Sequence, residues 1–387
     1  MRIRVAWLMV ATALPLVLAA CSGGAGIKQT ATTTTTTAPS MDELVRLNQV
    51  QVVGTHNSYH RRLAPKLFEI LTSFDATFAA SVDYEHRPLA EQLDTGIRQL
   101  ELDVYADPDG GRFADRAANV LVGLPKASGL PELSAPGFKV FHMPEVDYES
   151  SCLSLVACLR IVDDWSTAHP KHLPLMVFVE AKEGAVPDVA GLGFATPLPI
   201  GASELDALDA EIRSVFGADR LITPDVVRAT RATLREAVTT DGWPTLAKAR
   251  GKVMFGFIND KPLAYVENHD SLRGRAMFTL SGTSSPESAF VSRPDPGTQA
   301  DDIAALARQG FIVRTRADAD TVEAGAGAVT RRDAALASAA TWISTHFPSP
   351  DAKLATGYAV RPMVRCNPVI APPACRDDLL ENMDRGT

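Results

Sequence analysis

Four apolar runs of this chain each end in side chains that can move protons, hold phosphate or bind a metal ion. "QVVGTHN" ends in His56 and Asn57, "QLELDVY" carries Glu101 and Asp103, "KVFH" ends in His142, and "LMVFVEAK" ends in Glu180 and Lys182. Histidine titrates near neutrality and suits general acid–base work. Carboxylate and amide oxygens suit a hard cation. Each cluster also has a plainer reading: a capping Asn beside a hydrogen-bonded His, a satisfied core His, a salt-bridged Glu. In "QLELDVY", Gln99, Glu101, Asp103 and Tyr105 share one face of a strand, and Leu100, Leu102 and Val104 share the other. The apolar face suits packing against helices, so the acidic stripe points inward. Buried carboxylates need a positive partner, either an Arg or Lys or a metal ion. E-x-D turned inward is hard to explain by packing, which favours the ion. His56 and Asn57 are neighbours and serve one site only where the strand is giving way to a loop. Gly54 just before them permits a close backbone approach.

These runs belong to a longer series of β-rich segments at 50–54, 97–105, 138–142, 173–181, 252–258, 276–280, 310–315 and 340–345. Amphipathic stretches such as "CLSLVACLRIVDDWSTAHP" and "ASELDALDAEIRSVFG" lie between them. The alternation predicts an α/β fold, a single (β/α)8 TIM-barrel-like domain over 41–387. In such a barrel the site is built from the C-terminal ends of the strands.

The net charge of −8 excludes non-specific nucleic-acid binding and gives no long-range pull toward an anionic membrane. Attachment then needs an anchor, and the N-terminus offers one. Residues 1–20 read as a signal peptide with a basic start and a short apolar core, and "LAAC" resembles the lipobox of bacterial lipoproteins, which implies lipidation of Cys21; a plain signal peptide cleaved near Ala20 is the alternative. Residues 21–40, rich in Thr, read as a flexible tether. The expected location is outside the cell, anchored at the outer side of a bacterial membrane or at the cell surface. Four further cysteines, Cys152, Cys158, Cys366 and Cys375, suit two disulfides in an exported chain. Proximity favours 152–158 and 366–375 among three pairings.

Taken together, "LNQVQVVGTHNSYH", "PLAEQLDTGIRQLELDVYAD", "FKVFHMPEVD" and "PLMVFVEAKEG" resemble the bacterial calcium-dependent phosphatidylinositol-specific phospholipases C of the Streptomyces type, in the PLC-like phosphodiesterase superfamily. The resemblance implies that His56 and His142 are the catalytic pair and that Asn57, Glu101, Asp103 and Glu180 ligate Ca2+, with Mg2+ an alternative suited to the same oxygens. Metal-free relatives place an arginine where this chain has Asp103. Glycerophosphodiester phosphodiesterases usually show His-Arg-Gly where this chain has His56-Asn57-Ser58.

The implied reaction is attack by the inositol 2-hydroxyl on the adjacent phosphorus, releasing diacylglycerol and inositol 1,2-cyclic phosphate. His142 is expected to serve the leaving group and His56 the phosphoryl side, with Glu101 an alternative base. Lys182 and Arg314 are substrate-binding candidates, and "YHRRLAPK" is a small basic patch nearby. The partner is then a phospholipid at a membrane surface, met by a monomer. Two other readings remain: a glycerophosphodiesterase or phospholipase D-like enzyme on the same metal, and a non-catalytic surface lipoprotein.

Overall fold

The computed structural model describes residues 40–259 and 263–381. The expected signal peptide, the Cys21 lipidation point and all but the last residue of the expected tether lie outside them. Ten strands are present: β1 (Val50–Thr55), β2 (Gln99–Tyr105), β3 (Lys139–Val140), β4 (Leu175–Ala181), β5 (Val253–Phe257), β6 (Met277–Thr279), β7 (Phe290–Ser292), β8 (Ile312–Arg316), β9 (Trp342–Thr345) and β10 (Val364–Cys366).

Eight of these run in the order β6-β5-β4-β2-β1-β9-β8-β7, every neighbouring pair parallel. A single parallel bridge between Leu280 and Phe290 joins the two ends, so the sheet is a nearly closed (β/α)8-like barrel. The ring is thin at one other place, where β1 and β2 share one register pair, Gly54 with Gln99. The strands are buried on both faces because parallel sheets are covered by helices outside and filled by side chains within. Inside, the Phe178 ring meets Phe290 and Trp342 at 5.6 and 5.3 Å between centroids. Gly256 makes room for it, since a Cβ there would lie 2.9 Å from Phe178 Cδ1.

The expected barrel strand at 138–142 is not in the ring. Only Lys139 and Val140 are extended, and they pair antiparallel with the end of β2. Lys139 explains this, because its buried ammonium is tied to the Ala135 and Gly137 carbonyls and lies 3.4 Å from Asp107. Such a lysine suits a local extension of β2 better than a ring strand buried on both sides. The place in the ring is taken by β7, whose three residues follow β6 with no helix between them. A run this short between Ser- and Pro-rich segments carries little periodic signal.

β10 lies antiparallel along the first half of β1 and is stapled by the Cys366–Cys375 disulfide. Cys152 and Cys158 are joined just before and within the helix Leu155–Ala168. Among the described residues no helix is long and apolar enough to cross a membrane.

At the end of the barrel away from the strand C-termini, His172 is buried, with Nε2 2.6 Å from the Ser166 hydroxyl. Burial pushes its pKa down to about 4, below the ordinary 6.5. An unfolded chain therefore binds a proton that the folded one refuses between these values, so stability falls as pH falls through that window. His172→Gln is expected to remove about 1.4 kcal/mol per pH unit of that slope between pH 6 and 4.5, read from urea unfolding.

Candidate active site

The first motif folds as its residue types require. His56 still follows the strand, its N–H donating to the Thr345 carbonyl at 3.0 Å. Asn57 then turns with φ +47, a left-handed conformation that asparagine tolerates better than most residues. Ser58 folds back onto β2: its N–H donates to the Glu101 carbonyl at 2.9 Å and its hydroxyl accepts from the Glu101 N–H at 2.8 Å. This clamp fixes the loop to the strand that bears the carboxylates. Gly54 is required because the Gln99 side chain crosses it; a Cβ would sit 2.2 Å from Gln99 Oε1.

Asp103 and Glu180 are register partners on β2 and β4, and Glu101 is two residues before Asp103 on the same face. One oxygen from each lies within 4.8 Å of the other two. Glu101 and Asp103 are buried at 1% exposure, so their charges repel at low dielectric. Burial pushes Glu101 up to about 7, with Arg314 opposing the shift. Burial likewise pushes Asp103 up to about 6, against Lys182.

Both kinds of positive partner foreseen for these acids have to be weighed. Lys182 Nζ lies 3.0 Å from Glu180 and 3.4 Å from Asp103. Arg314 pairs with Glu101. Among the described residues these cations leave Asp103 Oδ1 buried without a hydrogen bond, with the Tyr59 hydroxyl facing the carboxylate and itself unbonded. An unpartnered anionic oxygen in an all-oxygen group fits a hard divalent ion. Asn57, buried beside the Tyr84 hydroxyl, adds an amide at the same strand ends.

Arg314 is 7% exposed, its Nε donates to Ser344 Oγ at 2.9 Å, and its guanidinium lies over the Phe178 ring at 5.1 Å. Held in this way it balances the charge of Glu101. Arg316, two residues on, keeps Nε without a hydrogen-bond partner among the described residues, and its Nη2 lies 3.5 Å from Asp320 Oδ1.

His142 follows β3, and its Nδ1 donates to Asp147 Oδ2 at 2.8 Å. Asp147 is fully buried and also receives His60 Nε2 at 2.9 Å, while His60 Nδ1 donates to the Tyr84 carbonyl at 3.1 Å. Both nitrogens of His60 thus face acceptors. Burial alone would raise Asp147, but the His60 charge and the two imidazole hydrogen bonds hold it below the usual carboxylate range. For His142, burial would lower the pKa, yet the bond to Asp147 holds it above its ordinary value. The outer nitrogen of His142 takes no part in that bond.

His56 Nε2 lies 3.4 Å from Glu101 Oε1. Burial first, and the nearby Arg316 charge second, push its pKa well down. The neutral ring that results suits a proton acceptor. His60, Asp147, Asp318 and His346 were not legible as site residues. The available signal was slight: Asp147 follows His142 by five residues, and His346 directly follows the last ring strand.

The family described as phosphoinositide phospholipase C, Ca2+-dependent, matches this chain over residues 45–368. No curated protein matches it. Among solved structures it is similar to a calcium-dependent phosphoinositol-specific phospholipase C from Pseudomonas sp., 17% identical with a TM-score of 0.49, over 84% of this chain and 96% of that one. A Ca2+-dependent phosphatidylinositol-specific phospholipase C from Streptomyces antibioticus is 18% identical with a TM-score of 0.49, over 78% and 94%. The phosphatidylinositol-specific phospholipase C of Listeria monocytogenes is 12% identical with a TM-score of 0.41, over 78% and 89%.

Proposed function

Because the chain belongs to the family of Ca2+-dependent phosphoinositide phospholipases C, we propose that it cleaves phosphatidylinositol to diacylglycerol and inositol 1,2-cyclic phosphate. The observation that carries this reading is the carboxylate group with an unpartnered buried oxygen, set between two histidines held in opposite ways. Glu101, Asp103, Glu180 and Asn57 hold the calcium ion. When bound, the ion lowers the pKa of the attacking hydroxyl and offsets charge that grows on the phosphoryl group. The magnesium alternative finds no support.

His142 gives the proton to the diacylglycerol oxygen. Its bond to Asp147 supports this role by fixing the tautomer and favouring the charged ring. His56, neutral and next to Glu101, takes the proton from the inositol 2-hydroxyl, with Glu101 the alternative acceptor. Lys182, a quarter exposed, meets a substrate oxygen from the β4 side. The protein acts as a monomer, exported and held at the outer side of a bacterial membrane through Cys21 and the Thr-rich tether.

The test is phosphorus NMR of phosphatidylinositol vesicles treated with the full chain, with calcium and with excess chelator. Cyclic phosphate that needs calcium is the expected result. Hydrolysis with no cyclic species would move the assignment to a glycerophosphodiesterase. No turnover of any phosphodiester would leave a binding protein.

A further inference from the structure

The two histidines of the site are held by different means. His142 has a carboxylate on its inner nitrogen. His56 has none: its Nδ1 is buried with no hydrogen-bond partner among the described residues. Its backbone is gripped on both sides, by Thr345 at the N–H and by His86 Nε2 at the carbonyl, 2.8 Å away. Neither contact decides how the ring is turned. Besides Glu101 at Nε2, the ring meets His346, lying edge-on with 4.6 Å between centroids and 62° between planes.

His346 is itself immobilised. Its N–H and its Nδ1 both donate to Asp318 Oδ1, at 3.0 and 2.9 Å. The other oxygen of Asp318 receives the Thr345 hydroxyl, and Tyr358 donates to the Ala317 carbonyl beside it at 3.0 Å. Asp318 is fully buried, and the Tyr84 ring closes a further side of His346 at 4.5 Å. Turning the His346 ring would break the bond to Asp318 and leave a buried carboxylate short of a donor. His346 and His86, which both touch His56, also line a cavity of about 480 Å³. Without the His346 ring, His56 would have room to swing away from Glu101.

We propose that His346, fixed by Asp318, is the positioning residue of His56, keeping the ring turned with Nε2 toward Glu101. The proposal rests on the catalytic role given to His56 above. A reacting group displaced by about 1 Å loses on the order of 100-fold in rate, and that is the scale of effect the arrangement prevents.

The experiment uses the full chain loaded with calcium, as wild type, His346→Ala and Asp318→Asn. Turnover of phosphatidylinositol vesicles, calcium affinity and the ring nitrogen NMR signals of His56 are read for each. His346→Ala is expected to lower kcat by roughly 10- to 100-fold with KM and calcium affinity unchanged, and to shift the His56 ring signals. Asp318→Asn, which keeps the volume, is expected to move the same readouts less. A folded His346→Ala with wild-type kcat and unmoved ring signals would overturn the proposal. So would a loss of calcium affinity in step with kcat, which would mean that the site has collapsed. If His346→Ala does not fold, Asp318→Asn decides by the same readouts. Should the wild type turn over no phosphatidylinositol, the functional reading fails, while the His56 ring signals still decide this inference.

Discussion

Asp103→Asn is expected to lower calcium-dependent turnover by about 1,000-fold, since the ion's share of transition-state stabilisation is several kcal/mol. The substitution keeps the shape of the side chain and removes one of three converging charges. Folding of the calcium-free protein is expected to hold, because Asp103 is destabilised by its own burial, as its raised pKa shows. Calcium should therefore raise the melting temperature of the wild type strongly and that of the variant little. At a hundredfold excess over Kd, binding stabilises the wild type by about 2.7 kcal/mol. Calorimetric titration, melting with and without calcium, and the vesicle assay check this together. A variant that keeps calcium-dependent turnover near wild type would remove Asp103 from the metal site.

The second large effect concerns proton delivery. Asp147→Asn is expected to lower kcat by about 1,000-fold, within the usual span of general acid–base catalysis. The amide no longer fixes the proton-bearing nitrogen of His142 or stabilises its charged form. The same change also replaces the carboxylate that the buried His60 Nε2 meets by a neutral amide, at a cost of about 1–3 kcal/mol. Stability and chemistry are separable with a substrate whose leaving group is a nitrophenolate, which departs without a proton. On that substrate the losses in Asp147→Asn and His142→Ala should nearly vanish. Equal losses on both substrates would show that His142 does not serve the leaving group.

The carboxylate face was legible because β2 carries two signals at once: Leu100, Leu102 and Val104 mark the outside, and what alternates with them must face in. Glu180 followed from the same logic one strand over. The ring strand β7 was hidden by its length, and Lys139, second in "FKVFH", marked that run as something other than a barrel strand. For Arg314, position along the strand told which way the side chain points, but not that Glu101 would be its partner. Asp147, Asp318 and His346 sit on connections, where no periodicity announces an inward turn. Each is defined by its partner in space.

The two thin joins in the ring give the site an anatomy of its own. They divide the barrel into two arcs of four strands, β2-β4-β5-β6 and β7-β8-β9-β1. Glu101, Asp103, Glu180 and Lys182 ride on the first arc, and β3, which leads into His142, is paired to it. His56, Arg314 and His346 ride on the second. Where β1 meets β2, the Ser58 clamp and the pair of Arg314 with Glu101 span the division. The proposed proton donor, His142, and the proposed proton acceptor, His56, thus belong to separate jaws. A phosphodiester bridging them would be gripped like a workpiece in a vice, its alignment set by how closely the two arcs are drawn together.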